Sequence, residues 1–370
     1  MEKFRIGEYT QRITEHFELE GKISSIAVAQ NGEIYACSEN GLCRFKDGEW
    51  NKLFSNQVFS KVYCDKKDRV FASLDKALYE ITGDGAKKAA DFEYPIVDLC
   101  GEDKLYVLTQ HSLHVESAEG FFTLQKMDQD EISLAVQGEK VCVASKTCLQ
   151  RMEGKRRTWR CIFPAYSTMP EIHINVITFD KIGYLLVGAD EGLFIYDYKS
   201  GWVGKNEISI LPSESVYSIC VCDDGSFVAG TDAGAVHIKN GLAKYLPATR
   251  YAFSTNVTAL ASLDGALYTA SEGGIVKISE KLMTLEEKSR LLFENTEKYF
   301  PRKPGFVTWV KSLDGKDCSH PTDNDGLWTS MYAGGELMRY AVLKNDPNAT
   351  PEQIEEARKT ATLSTEAVLF

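Results

Sequence analysis

Short apolar runs of five to seven residues recur along residues 20–280, each broken by a turn rich in Gly or Asp. The clearest copy runs from Val216 to Lys239, VYSICVCDDGSFVAGTDAGAVHIK. VYSICVC, SFVAG and AVHIK read as three strands, because β-branched and aromatic residues suit a pleated, half-buried backbone. Asp223-Asp224-Gly225 and the stretch from Thr231 to Gly234 lie between them and supply residues that accept tight hairpin geometry.

Laid over the rest of the chain, this copy recurs in seven registers. After the first turn stand Ile34, Val70, Leu105, Val141, Leu185, Phe227 and Leu267, followed at once by Tyr35, Phe71, Tyr106, Cys142, Leu186, Val228 and Tyr268. Seven residues beyond these come Leu42, Leu78, Leu113, Leu149, Leu193, Ala235 and Ile275. The position just before holds Gly41, Ala77, Ser112, Cys148, Gly192, Gly234 and Gly274, and a turn there favours Gly at positive φ. Successive copies start 36, 35, 36, 44, 42 and 40 residues apart. A unit this small cannot bury both faces of its own sheet, so the copies must stack on one another. The period predicts a mainly β fold, a seven-bladed β-propeller over residues 1–283, with four strands per blade. Trp50, Trp159 and Trp202 introduce outer strands and are expected to pack between blades. The seventh copy has only the run Leu282–Leu285 beyond its third strand. Its outer strand is expected from residues 1–20, where Ile13, Glu15, Phe17 and Leu19 alternate with Arg12, Thr14, His16 and Glu18, which would remove the exposed sheet edges.

From Thr284 the period changes to that of a helix, and residues 284–370 are predicted to form an α-helical segment. Thr284-Leu-Glu-Glu287 reads as a capping box opening a helix to about Phe300, ahead of Pro301 and Pro304. In TDNDGLWTSMYAGGELMRYAVLK, the residues Leu327, Trp328, Met331, Tyr332, Met338, Ala341 and Val342 fall on one apolar stripe. Thr350-Pro351-Glu352-Gln353 then places an N-cap, a first-turn Pro and a capping Gln, completing an αα-hairpin. Gly334-Gly335 would cost its helix about 1 kcal/mol per Gly, which predicts that another helix approaches closely there.

Composition narrows the function classes. With 370 residues, 44% hydrophobic, the chain can bury a sizeable core. A net charge of −11 argues against nucleic acid and anionic membrane as partners, and the basic knot from Arg151 to Arg160 reads as a solvated hairpin. No apolar run suggests a signal-peptide core or a membrane span, so a cytoplasmic location is expected. Cys37, Cys43, Cys64, Cys100, Cys142, Cys220 and Cys222 sit in strands as small hydrophobes, and no CxxC pair occurs among the ten cysteines. Six scattered histidines show no ligand spacing, so neither metal nor cofactor is expected.

LLVGADEGL (185–193), FVAGTDAGA (227–235) and IYACSENGL (34–42) resemble the two-component-regulator type of propeller repeat, over about residues 20–280. The family's usual tryptophan is replaced here by Tyr, Phe or aliphatics. In relatives the repeat implies ligand sensing or protein contact. The tail, through the DNDGLW run at Asp323–Trp328 with Tyr332, Arg339 and Tyr340, resembles the opening hairpin of an α/α-toroid of the kind found in glycoside hydrolases and polysaccharide lyases. A complete toroid needs many more helices, so the hairpin is expected either to belong to a longer protein or to dock on the propeller.

His320, Asp323, Asn324 and Asp325 form the densest polar cluster beside aromatics. Asp323, Asp325 and His320 are the catalytic candidates, as acid and base on a sugar, and Asn324, Trp328, Tyr332 and Arg339 the ligand-binding ones. The competing structural reading makes the Asp and Asn residues helix caps. An EF-hand fails, since Pro321 and Tyr332 would fall on ligand positions. A calcium-dependent lactonase-like propeller would draw on Asp98, Asn175 and Asn256 near inner strands, where ladder-end roles compete. No nucleophile elbow, P-loop or dinucleotide fingerprint is present. The leading expectation is a propeller that binds a protein partner or a carbohydrate-like ligand, the alternatives being a carbohydrate-active hydrolase or lyase and the lactonase.

Overall fold

The computed structural model describes every residue except 1–8, 56, 84, 154–157, 164–171, 198–199, 206–210, 303–304, 309–321 and 370. Contacts divide the chain into two units, Arg12–Glu280 and Lys281–Phe370 together with Met1–Gln11.

The larger unit is a seven-bladed β-propeller, each blade a four-stranded sheet. Blade 1 is Ile23–Val28, Ile34–Ser38, Gly41–Lys46 and Glu49–Ser55, joined as antiparallel hairpins in chain order from the inner strand outward. Blades 2 to 6 repeat this order and begin at Lys61, Ile96, Glu131, Ile174 and Val216. Blade 7 takes its three inner strands from Ala259–Leu263, Ala266–Ser271 and Gly273–Met283, and its outermost strand from Tyr9–Leu19. The run at Leu282 is no separate strand, because the third strand continues unbroken through Met283. Neighbouring inner strands touch around the full circle, the last against the first.

Seven apolar clusters fill the seven seams between blades. The seam of blades 7 and 1 gathers Ile23, Ile34, Tyr268 and Ile275, with Phe17, Phe45 and Trp50 packed against them. Phe17 and Phe45 meet edge to face at 4.8 Å, and Phe45 and Trp50 at 5.3 Å. Trp159 packs on the seam of blades 3 and 4. The side chain of Trp202 lies outside the described residues.

A second device closes the circle. At or just before each inner strand, at least one polar side chain reaches the backbone of the neighbouring blade. Ser25 donates to the Val62 carbonyl (3.3 Å), Ser60 to Ile96 (3.5 Å), Asn175 to Val216 (3.2 Å), Ser218 to Val257 (3.2 Å) and Thr258 to Ile23 (2.6 Å). Asp98 accepts from the Leu134 amide (2.8 Å), and Ser133 Oγ from the Ile177 amide (3.1 Å). Ser25, Asp98, Ser133 and Ser218 occupy one register position, facing Cys37, Leu108, Ala144 and Gly230. Blades 2, 5 and 7 have Lys61, Val176 and Ala259 there, and Ser60, Asn175 and Thr258 do the work from one residue earlier. Buried polar backbone needs such partners.

The small column before the leucines has a close-contact reason beyond its turn. Gly41 has φ of 120°, and a Cβ there would lie 2.1 Å from the Phe54 carbonyl oxygen. Only a residue without a side chain tolerates both the dihedral and the approach of the outer strand.

In the smaller unit, Leu285–Tyr299 (α1) opens on the capping box expected of Thr284 and Glu287. Pro301–Arg302 and Phe306–Val307 form a two-stranded ribbon. Asp325–Lys344 (α2) and Pro351–Leu369 (α3) pack against each other, and Thr350 and Gln353 cap the second. The apolar stripe does not face the packing partner. The buried side chains of α2 are Asp325, Thr329, Ala333 and Glu336, and those of α3 are Ala357, Ala361, Ser364 and Ala367. Small residues let the two backbones approach, whereas Leu327, Met331, Met338 and Val342 stand 56%, 65%, 73% and 67% exposed. The close approach expected at Gly334-Gly335 is also missing among the described residues, where a Cβ at either position would meet nothing within 4 Å. These helices do not establish a toroid.

Candidate functional site

A cleft of about 640 Å³ lies between blades 6 and 7. Its floor is apolar, made by Val228, Leu246, Leu267 and Ile278, all of which are buried. Its rim is charged with both signs, Arg12, Lys239 and Lys244 against Asp223, Asp224, Asp264 and Glu280. Leu242 stands at the edge, 77% exposed.

One polar chain crosses the cleft. The turn after the inner strand of blade 6 places Asp224 so that its Oδ1 accepts from the Ser226 amide (3.0 Å) and the Ser226 hydroxyl (2.5 Å). Lys239 Nζ reaches Oδ2 at 2.8 Å, and this ion pair with the Ser226 bonds holds the carboxyl far below the usual carboxylate range. His237 Nε2 lies 2.8 Å from Ser226 Oγ, and Arg12 Nη2 lies 3.4 Å from His237 Nδ1. Arg12 Nε in turn faces Glu280 at 3.5 Å.

The direction of these bonds decides the chemistry. A carboxylate can only accept, so the Ser226 proton points at Asp224 and the Ser226 oxygen accepts from His237 Nε2–H. Burial, and then the charge of Arg12, lower the pKa of His237, which keeps the ring neutral with Nδ1 turned toward the guanidinium. A nucleophilic serine would give its proton to the imidazole. Here the order is reversed, and the chain is a fixed array of donors and acceptors suited to binding.

The residues singled out from the sequence fall elsewhere. Asp325 is buried at the start of α2, its Oδ1 accepting from Thr308 and Thr322 hydroxyls at 2.8 Å each. Asp323 and Asn324 are exposed, and Asn324 occupies the N-cap position without a side-chain cap bond. His320 lies outside the described residues. Tyr332 donates to Glu297 (2.5 Å), and burial, followed by that bond, raises its phenol pKa. Arg339 pairs with Glu336 (3.4 Å) and Glu356 (2.9 Å) and covers the Phe293 ring at 3.8 Å. These two side chains tie the three helices together, while Trp328 remains 44% exposed. Asp98 and Asn175 belong to the ring of inter-blade bonds, Asp98 also taking Lys61 (3.3 Å) and Asn175 also meeting Asp190 (2.7 Å). Asn256, half-buried, precedes Val257 at the seam of blades 6 and 7.

The cleft escaped the reading of the sequence. Asp224 and Ser226 look like turn residues and His237 like a strand residue. Arg12 is 225 positions away from His237 and arrives only through ring closure.

No family model matches this chain, and no curated protein matches it. Solved structures do. The extracellular domain of the putative one component system BT4673 from B. thetaiotaomicron superposes with a TM-score of 0.60 at 14% identity, over 72% of this chain and 39% of that one. The catalytically inactive H270A virginiamycin B lyase from Staphylococcus aureus, with quinupristin, gives 0.61 at 11% identity, over 73% and 99%. YCF48 bound to D1 peptide gives 0.55 at 14% identity, over 72% and 96%. This chain therefore spans well under half of the BT4673 domain. At such low identity the likeness concerns architecture, and what these neighbours share with this chain is the β-propeller fold.

Proposed function

We propose that the propeller is a protein-binding module, and that the cleft between blades 6 and 7 receives an extended segment of its partner. The observation that carries this reading is the cleft itself, a buried apolar floor under a rim of both charges with the exposed Leu242 beside it. Its size lies within the ~300–1,000 Å³ range of sites that enclose a ligand or an anchoring side chain. A neighbour of the same fold is bound to a peptide, and others are extracellular domains of putative one-component and hybrid two-component systems, which supports partner binding. The reversed Ser226–His237 polarity and the occupied carboxylate of Asp325 lend nothing to the hydrolase reading. Fold alone does not assign a chemistry.

Panning the intact chain against a displayed peptide library tests the reading. Enriched peptides should pair an apolar anchor with charged flanks and bind Leu242→Asp about tenfold more weakly or worse, with Arg12→Gln also weakened. Enriched peptides that bind both variants as well as the parent would remove the cleft as the site.

A further inference from the structure

The small column before each leucine changes character in blade 4, where it holds Cys148 in place of Gly41, Ala77 or Ser112 of the preceding blades. In the neighbouring outer strand, Thr158–Phe163, Ile162 is the extra residue of a β-bulge, so that Leu149 faces Phe163 and Gln150 faces Cys161. The same bulge in blades 1 to 3 puts Lys52, Lys88 and Thr123 where blade 4 has Cys161. Two columns that carry unrelated residues elsewhere thus both carry cysteine in one blade. The two sulfurs lie 3.6 Å apart, Cys148 buried and Cys161 exposed, both free thiols.

We propose that Cys148 and Cys161 are a thiol pair that closes into a disulfide by exchange with a low-molecular-weight disulfide such as oxidised glutathione. A disulfide needs its sulfurs ~2.05 Å apart, so closing it calls for the exposed Cys161 side chain to turn toward Cys148. Burial and the neighbouring Cys161 thiol push the Cys148 thiol up to about 12, so the exposed partner attacks first. The Cys161 thiolate forms a bond to one sulfur of the oxidant and displaces the other as a thiolate. Cys148, losing its proton to solvent, then attacks the Cys161 sulfur and displaces the second thiolate. The protein loses two protons and two electrons, and the small disulfide takes them up to become two thiols. The product ties the outer strand of blade 4 to the start of its third strand.

Trypsin separates the two cysteines into TCLQR and CIFPAYSTMPEIHINVITFDK. The intact reduced chain is equilibrated in glutathione buffers of increasing oxidation, quenched, alkylated and mapped without reduction. The expected dominant product is a linked pair of these peptides, absent in Cys161→Ser, while Cys148→Ala keeps a glutathione adduct on Cys161. The inference is overturned if the parent accumulates the same Cys161 adduct as Cys148→Ala with no linked peptide, or if Cys161 links to a different cysteine.

Discussion

Glu131 is the one acidic residue at a position that is apolar in its counterparts. It opens the inner strand of blade 4, where Ile23, Ile96, Ile174 and Val216 open blades 1, 3, 5 and 6, and it is 2% exposed. Burial, and then the charge of Asp130, push its carboxyl up to about 7. The folded state therefore holds the proton more tightly than the unfolded chain does. Its stability contribution is fully present below the unfolded pKa near 4.5 and is lost as pH rises through about 7. The loss is on the order of 3 kcal/mol. Thermal unfolding between pH 5 and 8 should show the parent losing stability with rising pH and Glu131→Ile staying nearly flat; parallel curves would show that Glu131 is not the source. Gly234 makes a second case at this scale. Its φ is 104° and a Cβ would lie 2.8 Å from the Leu246 carbonyl oxygen, so Gly234→Ala should cost about 1–3 kcal/mol in denaturant unfolding. A cost near zero would mean the outer strand of blade 6 moves aside freely.

At the scale of elements, the two helices of the smaller unit show how periodicity can point to the wrong face. The stripe of large apolar residues on α2 is outward, and the side chains buried where the two helices pack include Ala333 on α2 and Ala357 and Ala361 on α3. Close packing rewards small side chains at the contact, and hydrophobicity alone does not encode that preference. Met338→Gln should therefore change stability by less than about 0.5 kcal/mol, whereas Ala361→Leu should cost about 1–3 kcal/mol by overpacking. The reverse order, by chemical denaturation of both variants, would restore the stripe as the packing face. The closing strand Tyr9–Leu19 belongs to this scale too. Thr14→Pro removes a backbone donor from the outermost strand of blade 7 and should lower stability by about 1–3 kcal/mol. Hydrogen exchange should then quicken in blade 7 and, across the shared seam, in blade 1. Quickening confined to the closing strand would show that the seam does not depend on it.

For the molecule as a whole, the β-propeller was legible because a repeat leaves its period in the chain. Seven aligned columns, spaced as one blade requires, imply seven stacked sheets whatever the details of each. Turn chemistry was legible for the same reason, Gly41 and Gly234 needing both positive φ and an absent side chain. The capping boxes at Thr284 and Thr350 were legible because their partners lie three residues away. Contacts that depend on closure carried no such trace. The ring of inter-blade bonds is divided between two register positions, so no single column reveals it, and Asp98 and Asn175 looked like candidate ligands in isolation. The cleft joins Arg12 to His237 and Asp224 only once the first strand has come round to the last blade. Local sequence by itself determined the strands, turns, caps and blade number, because those are set by interactions among near neighbours and by the need of each sheet to bury both faces. Tertiary structure alone decided which polar groups meet, which face of α2 is buried and where a partner could seat, because these depend on distances between residues far apart in the chain.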